Sequence, residues 1–256
     1  MTITIVTLFP DMLSAFFRDS IIKRAQDKKQ VTINLVNLRD YAVDSYGSVD
    51  DRPYGGGAGM VLRVEPIDKA LAHLAVTKGS PQTRILLTSA KGVPFRQDMA
   101  GELSTLDHVV IIAGHYEGYD ERIADLIDTE ISLGDFIMTG GEIPAAAITD
   151  AIVRLLPGVL KKDDATKAES FFRVTVSDLI RAVGPHPVLS RLSEMKQETV
   201  QLLEYPHYTR PEIYKDKRVP DTLKSGNHRD IGEWRLREAF AQTLAKRPDL
   251  LDPSSP

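Results

Sequence analysis

The sequence contains no cysteine, so disulfides and thiolate metal sites are excluded. It has no apolar run near the roughly 18 residues that cross a bilayer, and no membrane partner is expected. It opens Met1-Thr2-Ile3 without a basic residue before Arg18, unlike the positive lead-in of a secretory signal. A cytoplasmic location is the expectation. A glycine-rich stretch, Gly55-Gly56-Gly57-Ala58-Gly59, is not followed by the Gly-Lys-Ser/Thr of a P-loop. Met60 stands where the third glycine of a dinucleotide fingerprint would fall, so that reading is disfavoured as well.

What is present is enough for a real core: 256 residues, 42% of them apolar. The net charge of −4 argues by itself against a phosphate-rich partner. The charge is uneven, however. Tyr205 to Arg247 carries ten Lys or Arg against six Asp or Glu. A basic C-terminal module is one reading of that asymmetry, and an ordinary solvated surface is the other.

Periodicity predicts an α/β fold with a parallel sheet. Thr2–Leu8 is rich in β-branched residues and reads as a buried strand. Apolar residues at helical spacing predict one helix over Asp11–Gln26, and Val31–Val36 reads as the next strand. Glu65–Val76 reads as a helix, Arg84–Thr88 as a strand, Ser89–Gly92 as a turn and Phe95–Leu103 as a helix. Val109–Ala113 is a further buried strand. After it come three turn-forming clusters, Gly114–Gly118, Ser132–Asp135 and Thr139–Glu142, and then a helix over Ala145–Leu156 with Pro144 in its first turn. Glycine-rich turns at strand ends let main-chain groups approach a ligand. A backbone-lined pocket for a small molecule is therefore expected between 113 and 144, although the same clusters also suit ordinary connecting loops. Lys161–Ser170 reads as a polar linker or lid, Val174–Leu203 as helical and split at Gly184-Pro185-His186-Pro187, and Arg229–Ala245 as the last helix.

At this point the motifs themselves carry a resemblance. Leu8-Phe9-Pro10, Val49 to Gly57, Gly59-Met60, Tyr116-Glu117-Gly118, Asp120-Glu121-Arg122, Gly134-Asp135, Gly140-Gly141-Glu142 with Pro144, Pro157 to Leu160, Pro206 to Pro211, Ser225 to His228 and Trp234-Arg235 run in one order along the chain. They resemble the bacterial tRNA (guanine-N1)-methyltransferases, the TrmD family. The resemblance covers nearly everything except about 173–200.

The resemblance implies an α/β fold whose parallel sheet carries a deep trefoil knot of the SPOUT type, plus a small C-terminal helical domain. It implies a catalytic domain over 1–160, a lid and linker over 161–204 with an inserted helical stretch (about 173–200), and a tRNA-binding domain over 205–256. S-adenosylmethionine would be the methyl donor and magnesium an aid to transfer, with metal ligands unknown. The partners would be the tRNA anticodon arm and a second copy of the chain, a homodimer sharing its active sites. The product would be 1-methylguanosine just 3′ of the anticodon.

Guanine N1 must lose its proton before it can attack the methyl group, so a base near N1 and a cation near O6 are required. The resemblance assigns these roles to Glu169, where the family has aspartate, and to Arg154. It assigns guanine binding to Asp50, Asp51, Arg52, Tyr54 and Gly59. It assigns the methyl donor to Leu87, Ser89, Gly114, Tyr116, Glu117, Gly118, Ser132, Leu133, Gly134, Phe136, Met138, Gly140, Gly141 and Pro144. Glu117 is the expected ribose acceptor or metal-side carboxylate, and His115 is expected to shape its turn. For tRNA the candidates are His207, Tyr208, Arg210, Asn227, His228, Arg235 and Arg237, while Trp234 is expected in the core. A non-catalytic RNA-binding relative and an enzyme acting on another RNA guanosine are the competing readings.

Overall fold

The structure, a computed structural model, describes residues 1–161 and 169–252. The chain divides into two compact units, Met1–Asp163 and Asp164–Pro256.

The first unit is a parallel sheet covered on both faces. Its elements are β1 (Thr2–Thr7), α1 (Pro10–Phe17), α2 (Ser20–Asp27), β2 (Thr32–Asn37), β3 (Asp50–Asp51), β4 (Val61–Leu62), α3 (Val64–His73), β5 (Thr83–Pro94), α4 (Gln97–Leu103), β6 (His108–Ile112), β7 (Thr129–Ser132) and α5 (Glu142–Val153). The main sheet runs β2-β1-β6-β5-β7, and every neighbouring pair in it is parallel. Side chains alternate between its faces as the pleat requires. Ile3, Ile5, Leu86, Val109 and Ile111 pack with α1, α2 and α5. Val6, Ile85, Leu87, Val110 and Ile112 pack on the opposite side, with Ile67, Ala70 and Leu71 of α3.

Three expectations change here. The single helix predicted over Asp11–Gln26 is two, because Asp19 caps a new start by accepting from Ser20 N at 2.6 Å, and Ser20 turns with φ +56°. Ser89–Gly92 is not a simple turn that ends a strand. It is an excursion within β5: Thr88 and Val93 both face Ile131, so the four residues between them are looped out while pairing resumes beyond. The strand β7 went unpredicted, since Thr129-Glu130-Ile131-Ser132 is short and has a single apolar residue.

The second unit contains β8 (Phe172–Thr175), α6 (Val176–Val183), α7 (Pro187–Glu194), β9 (Thr199–Leu202), β10 (Ile213–Tyr214), β11 (Lys217–Arg218) and α8 (His228–Lys246). The ends of the stretch predicted as helical are strands: β8 and β9 pair antiparallel, Phe172 with Leu202 and Val174 with Val200. Val176, Leu179, Leu189, Leu192, Val200 and Leu202 share one core with Ala239 and Phe240 of α8 and with Leu251. The stretch expected as a linker and insertion thus shares a core with the C-terminal part. Residues 172–202 are built into the same core as the C-terminal helix, because neither part alone can cover its apolar face. Most of the lid expected at Lys161–Ser170 lies outside the described residues, as does the tail beyond residue 252.

Candidate active site

The carboxyl ends of β5, β6 and β7 and the start of α5 surround a cavity of about 470 Å³. That position suits ligand binding in an open parallel sheet, and the volume suits a nucleoside-sized molecule. Of the residues expected to hold a methyl donor, Ser89, Gly114, Tyr116, Glu117, Gly118, Ser132, Leu133, Gly134, Phe136, Met138, Gly140, Gly141 and Pro144 all line it. Leu87 does not. Strand alternation points it to the α3 face, where it is fully buried. Thr88, Lys91, His115, Tyr119 and Ile137 also line the cavity and were missed as ligand contacts. Four of them sit beside named positions, and the fifth, Lys91, lies on the looped-out path of 89–92.

The cavity wall is made by close main-chain approach. Gly141 N donates to Gly114 O at 2.6 Å, and Gly114 N donates to Thr88 Oγ1 at 3.1 Å. A side chain at Gly141 would overlap Thr88 Oγ1 and crowd Gly114 N, so only glycine lets the three segments meet. Tyr116 is held at φ +61°, a left-handed conformation that is strained for a non-glycine residue. Ser132 Oγ closes its own turn, donating to Gly134 O and accepting from Gly134 N.

Polar side chains on the wall include Ser89, Lys91, Glu117 and Tyr119. Lys91 Nζ sits 3.0 Å from Glu121 and 5.1 Å from the Tyr119 ring centre. Tyr119 OH donates to Ser89 Oγ at 3.3 Å. Burial, reinforced by a hydrogen bond involving Glu130, raises the pKa of the Tyr119 phenol and keeps it protonated. Beside the cavity, Arg122 pairs with Asp120 through two nitrogens at 2.8 and 2.6 Å. This holds the Asp120 carboxyl down at about 2.

The guanine candidates lie on the β3–β4 hairpin. Asp50 and Asp51 pair with Leu62 and Val61, Asp51 Oδ1 accepts from Arg52 N at 2.7 Å, and Tyr54 is fully exposed at the tip. This hairpin is sewn to the cavity loop. Glu117 N donates to Met60 O at 3.1 Å, Leu62 N to Gly118 O at 3.0 Å and Asp120 N to Leu62 O at 2.8 Å. Gly59, at φ +81°, abuts the Glu117 side chain.

The catalytic candidates fall in different units. Arg154 caps the end of α5, its N–H bonded to Asp150 O at 3.1 Å. Glu169 precedes β8, and its carbonyl accepts from Phe172 N at 3.0 Å. Among the tRNA candidates, His207 rests on Tyr205 at 4.8 Å and faces Glu204 at 3.3 Å. Arg235 lies over Tyr205, at 4.8 Å from the ring centre. Tyr208 approaches Trp234 at 6.3 Å, and Trp234 itself is buried. Arg210, His228 and Arg237 are exposed. Asn227 is engaged in the fold. Its Oδ1 caps α8 by accepting from Arg229 N and Asp230 N, and its amide donates to Asp230. Among the described residues no group of three or more His, Asp or Glu side chains is arranged to hold a metal ion, and no helix is long and apolar enough to cross a membrane.

A covered parallel sheet with a glycine-walled cavity at its carboxyl end, clasped by a polar hairpin, defines a small-molecule-binding α/β enzyme domain. A family model described as tRNA (Guanine-1)-methyltransferase TrmD matches residues 1–253. The proteins named tRNA (guanine-N(1)-)-methyltransferase from Staphylococcus haemolyticus (strain JCSC1435) and Staphylococcus aureus (strain JH9) are each 46% identical over 253 residues, covering 98% of this chain and 91% of theirs. The chain belongs to this methyltransferase family.

Proposed function

We propose that this protein transfers a methyl group from S-adenosylmethionine to N1 of guanine in tRNA, at the guanosine just 3′ of the anticodon. The observation that carries the reading is the seam between cavity and hairpin at Gly59, Met60, Glu117 and Gly118. Main-chain hydrogen bonds there join the nucleoside-sized cavity to the polar hairpin. The cavity fits the donor chemically. Leu133, Phe136, Ile137 and Met138 give an apolar wall for a purine, main-chain groups supply its hydrogen bonds, and Glu117 offers an acceptor for a diol or ammonium.

The donor supplies an electrophilic methyl group on a sulfonium. The Glu169 carboxylate takes the N1 proton and the Arg154 guanidinium offsets charge at O6. The N1–C bond forms as the S–C bond breaks, leaving a neutral thioether. Glu169 has the chemistry of aspartate with one more methylene. Among the described residues no group of three or more His, Asp or Glu side chains is arranged to hold magnesium.

The SPOUT-type knot belongs to the same proposal. It is supported by backbone crossings without room for a side chain, at Gly92 against Glu130 and Ile131 and at Gly141 against Thr88 and Gly114. Homodimerisation is supported by exposed apolar side chains near the cavity and on α1, namely Ile137, Ile143, Met12 and Phe16. A soluble, cytoplasmic dimer acting on the anticodon arm, with His207, Tyr208, Arg210, His228, Arg235 and Arg237 as RNA contacts, completes the reading. Transfer of labelled methyl to purified tRNA, with sedimentation to weigh the assembly, tests it.

A further inference from the structure

Glu142 is 2% exposed, a carboxylate in a place where charge needs partners. It opens α5, so the helix N-terminus favours its charge. Its Oε1 accepts from Thr7 Oγ1 at 2.9 Å, and Thr7 Oγ1 in turn accepts from Phe9 N at 3.0 Å. Its Oε2 lies 3.5 Å from His115 Nδ1. That nitrogen is buried and makes no hydrogen bond among the described residues. His115 is wedged between the Phe9 and Tyr116 rings, at 4.8 and 5.1 Å. Gly140 lies between the pair, and a side chain there would collide with both Glu142 Oε2 and His115 Nδ1. Its backbone bridges to His115.

These contacts link three segments. Thr7 ends β1, His115 belongs to the loop after β6, and Glu142 follows the loop after β7. Neither Thr7 nor Glu142 lines the cavity, whereas His115, Tyr116 and Gly140 do. We infer that Glu142 is a positioning residue, joined to Thr7 and His115, that holds the main chain of 114–118 and 139–141 in the shape that receives the methyl donor. The inference rests on the proposed use of that cavity. Chemically, the Nδ1–H tautomer of His115 is the form that can donate to Glu142 Oε2, which lies 3.5 Å away. A buried carboxylate deprived of one partner keeps its desolvation cost, so the set acts as a unit.

The test measures S-adenosylmethionine binding by calorimetry, together with kcat and KM for donor and tRNA, in the full-length protein. The variants are Thr7→Val, Thr7→Ser, Glu142→Ala, His115→Ala and the double variant Glu142→Ala/His115→Ala. Thr7→Val removes only the hydroxyl, outside the cavity. It is expected to weaken donor binding about tenfold and to raise KM for the donor while KM for tRNA holds. Thr7→Ser restores binding to within about twofold of the parent, since the hydroxyl returns. His115→Ala weakens binding in the parent and has little further effect in the Glu142→Ala background. If Thr7→Val and His115→Ala lower the melting temperature yet bind the donor as the parent does, the set is merely structural and the inference is overturned. His115→Ala, at the cavity surface, keeps the test open should Glu142→Ala not fold. If the parent itself fails to bind the donor, the reading of the cavity fails instead.

Discussion

Gly59 and Glu117 touch across the seam between the hairpin and the cavity loop: a side chain at Gly59 would overlap Glu117 Cγ. Gly59 is also held at φ +81°. An alanine there meets both a steric collision and a left-handed backbone cost of about 1–2 kcal/mol. Gly59→Ala is expected to lower methyl transfer by at least about tenfold, with the far-ultraviolet circular dichroism of the sheet unchanged. Parent-like transfer would mean that the hairpin and the loop move independently.

Glu169→Ala is expected to reduce kcat about 10²-fold or more, as removal of a general base does, while donor affinity stays within about twofold. Arg154→Lys tests the other partner: a point charge replaces a planar fork, so turnover falls and donor binding is kept. Equal losses of binding and turnover in Glu169→Ala would remove the base assignment.

Much of this site is legible in the sequence alone. The run Val109–Ala113 is apolar at every position, and its first four residues fall in the central strand β6, buried on both faces. Pro144 with the glycines before it marks the start of α5, and the three turn clusters do converge on one cavity. Other features are hidden because their cause lies far away along the chain. Phe172-Arg173-Val174-Thr175 is too short to declare itself a strand, and it becomes one by pairing with Thr199–Leu202. The excursion at 89–92 exists because β7 accepts both Thr88 and Val93 at Ile131. Leu87 enters the expected donor site through the resemblance, whereas the pleat sends its side chain to the opposite face. Glu142 stands out only as part of a motif, and nothing local reveals that Thr7 and His115 come to meet it.

The Asp120–Arg122 pair gives a pH signature. Asp120 has its pKa lowered to about 2 by the guanidinium, below the ordinary value of 3.8. The pair's contribution is therefore complete above about pH 4 and is lost as pH falls towards 2. The pair is near the surface, so the loss in Asp120→Asn is expected to be no more than about 1 kcal/mol at pH 7. Thermal melts of parent and variant should differ slightly at neutral pH and converge as pH falls through about 2. A difference that grows on acidification contradicts the pairing.

Asn227 caps α8 through two backbone N–H groups. Asn227→Ala should cost about 1 kcal/mol of stability in that unit and Asn227→Asp much less, as N-cap preferences require. If Asn227→Asp weakens tRNA binding while leaving the melting temperature alone, the residue contacts RNA in addition to capping the helix.

Leu179 and Leu202 are fully buried in one core with Phe240. Leu202→Ala is expected to cost about 2–5 kcal/mol and to release hydrogen exchange in α6 and α8 together. Loss of protection in β8 and β9 alone would mean that the 172–202 stretch folds apart from the C-terminal helix.

The reaction and its target nucleotide can be tested together. Labelled S-adenosylmethionine is given with two tRNA transcripts that differ only in carrying guanosine or adenosine just 3′ of the anticodon. The account predicts transfer to the guanosine transcript alone, with 1-methylguanosine as product. Equal transfer to both, or transfer to neither with the donor still bound, would contradict it.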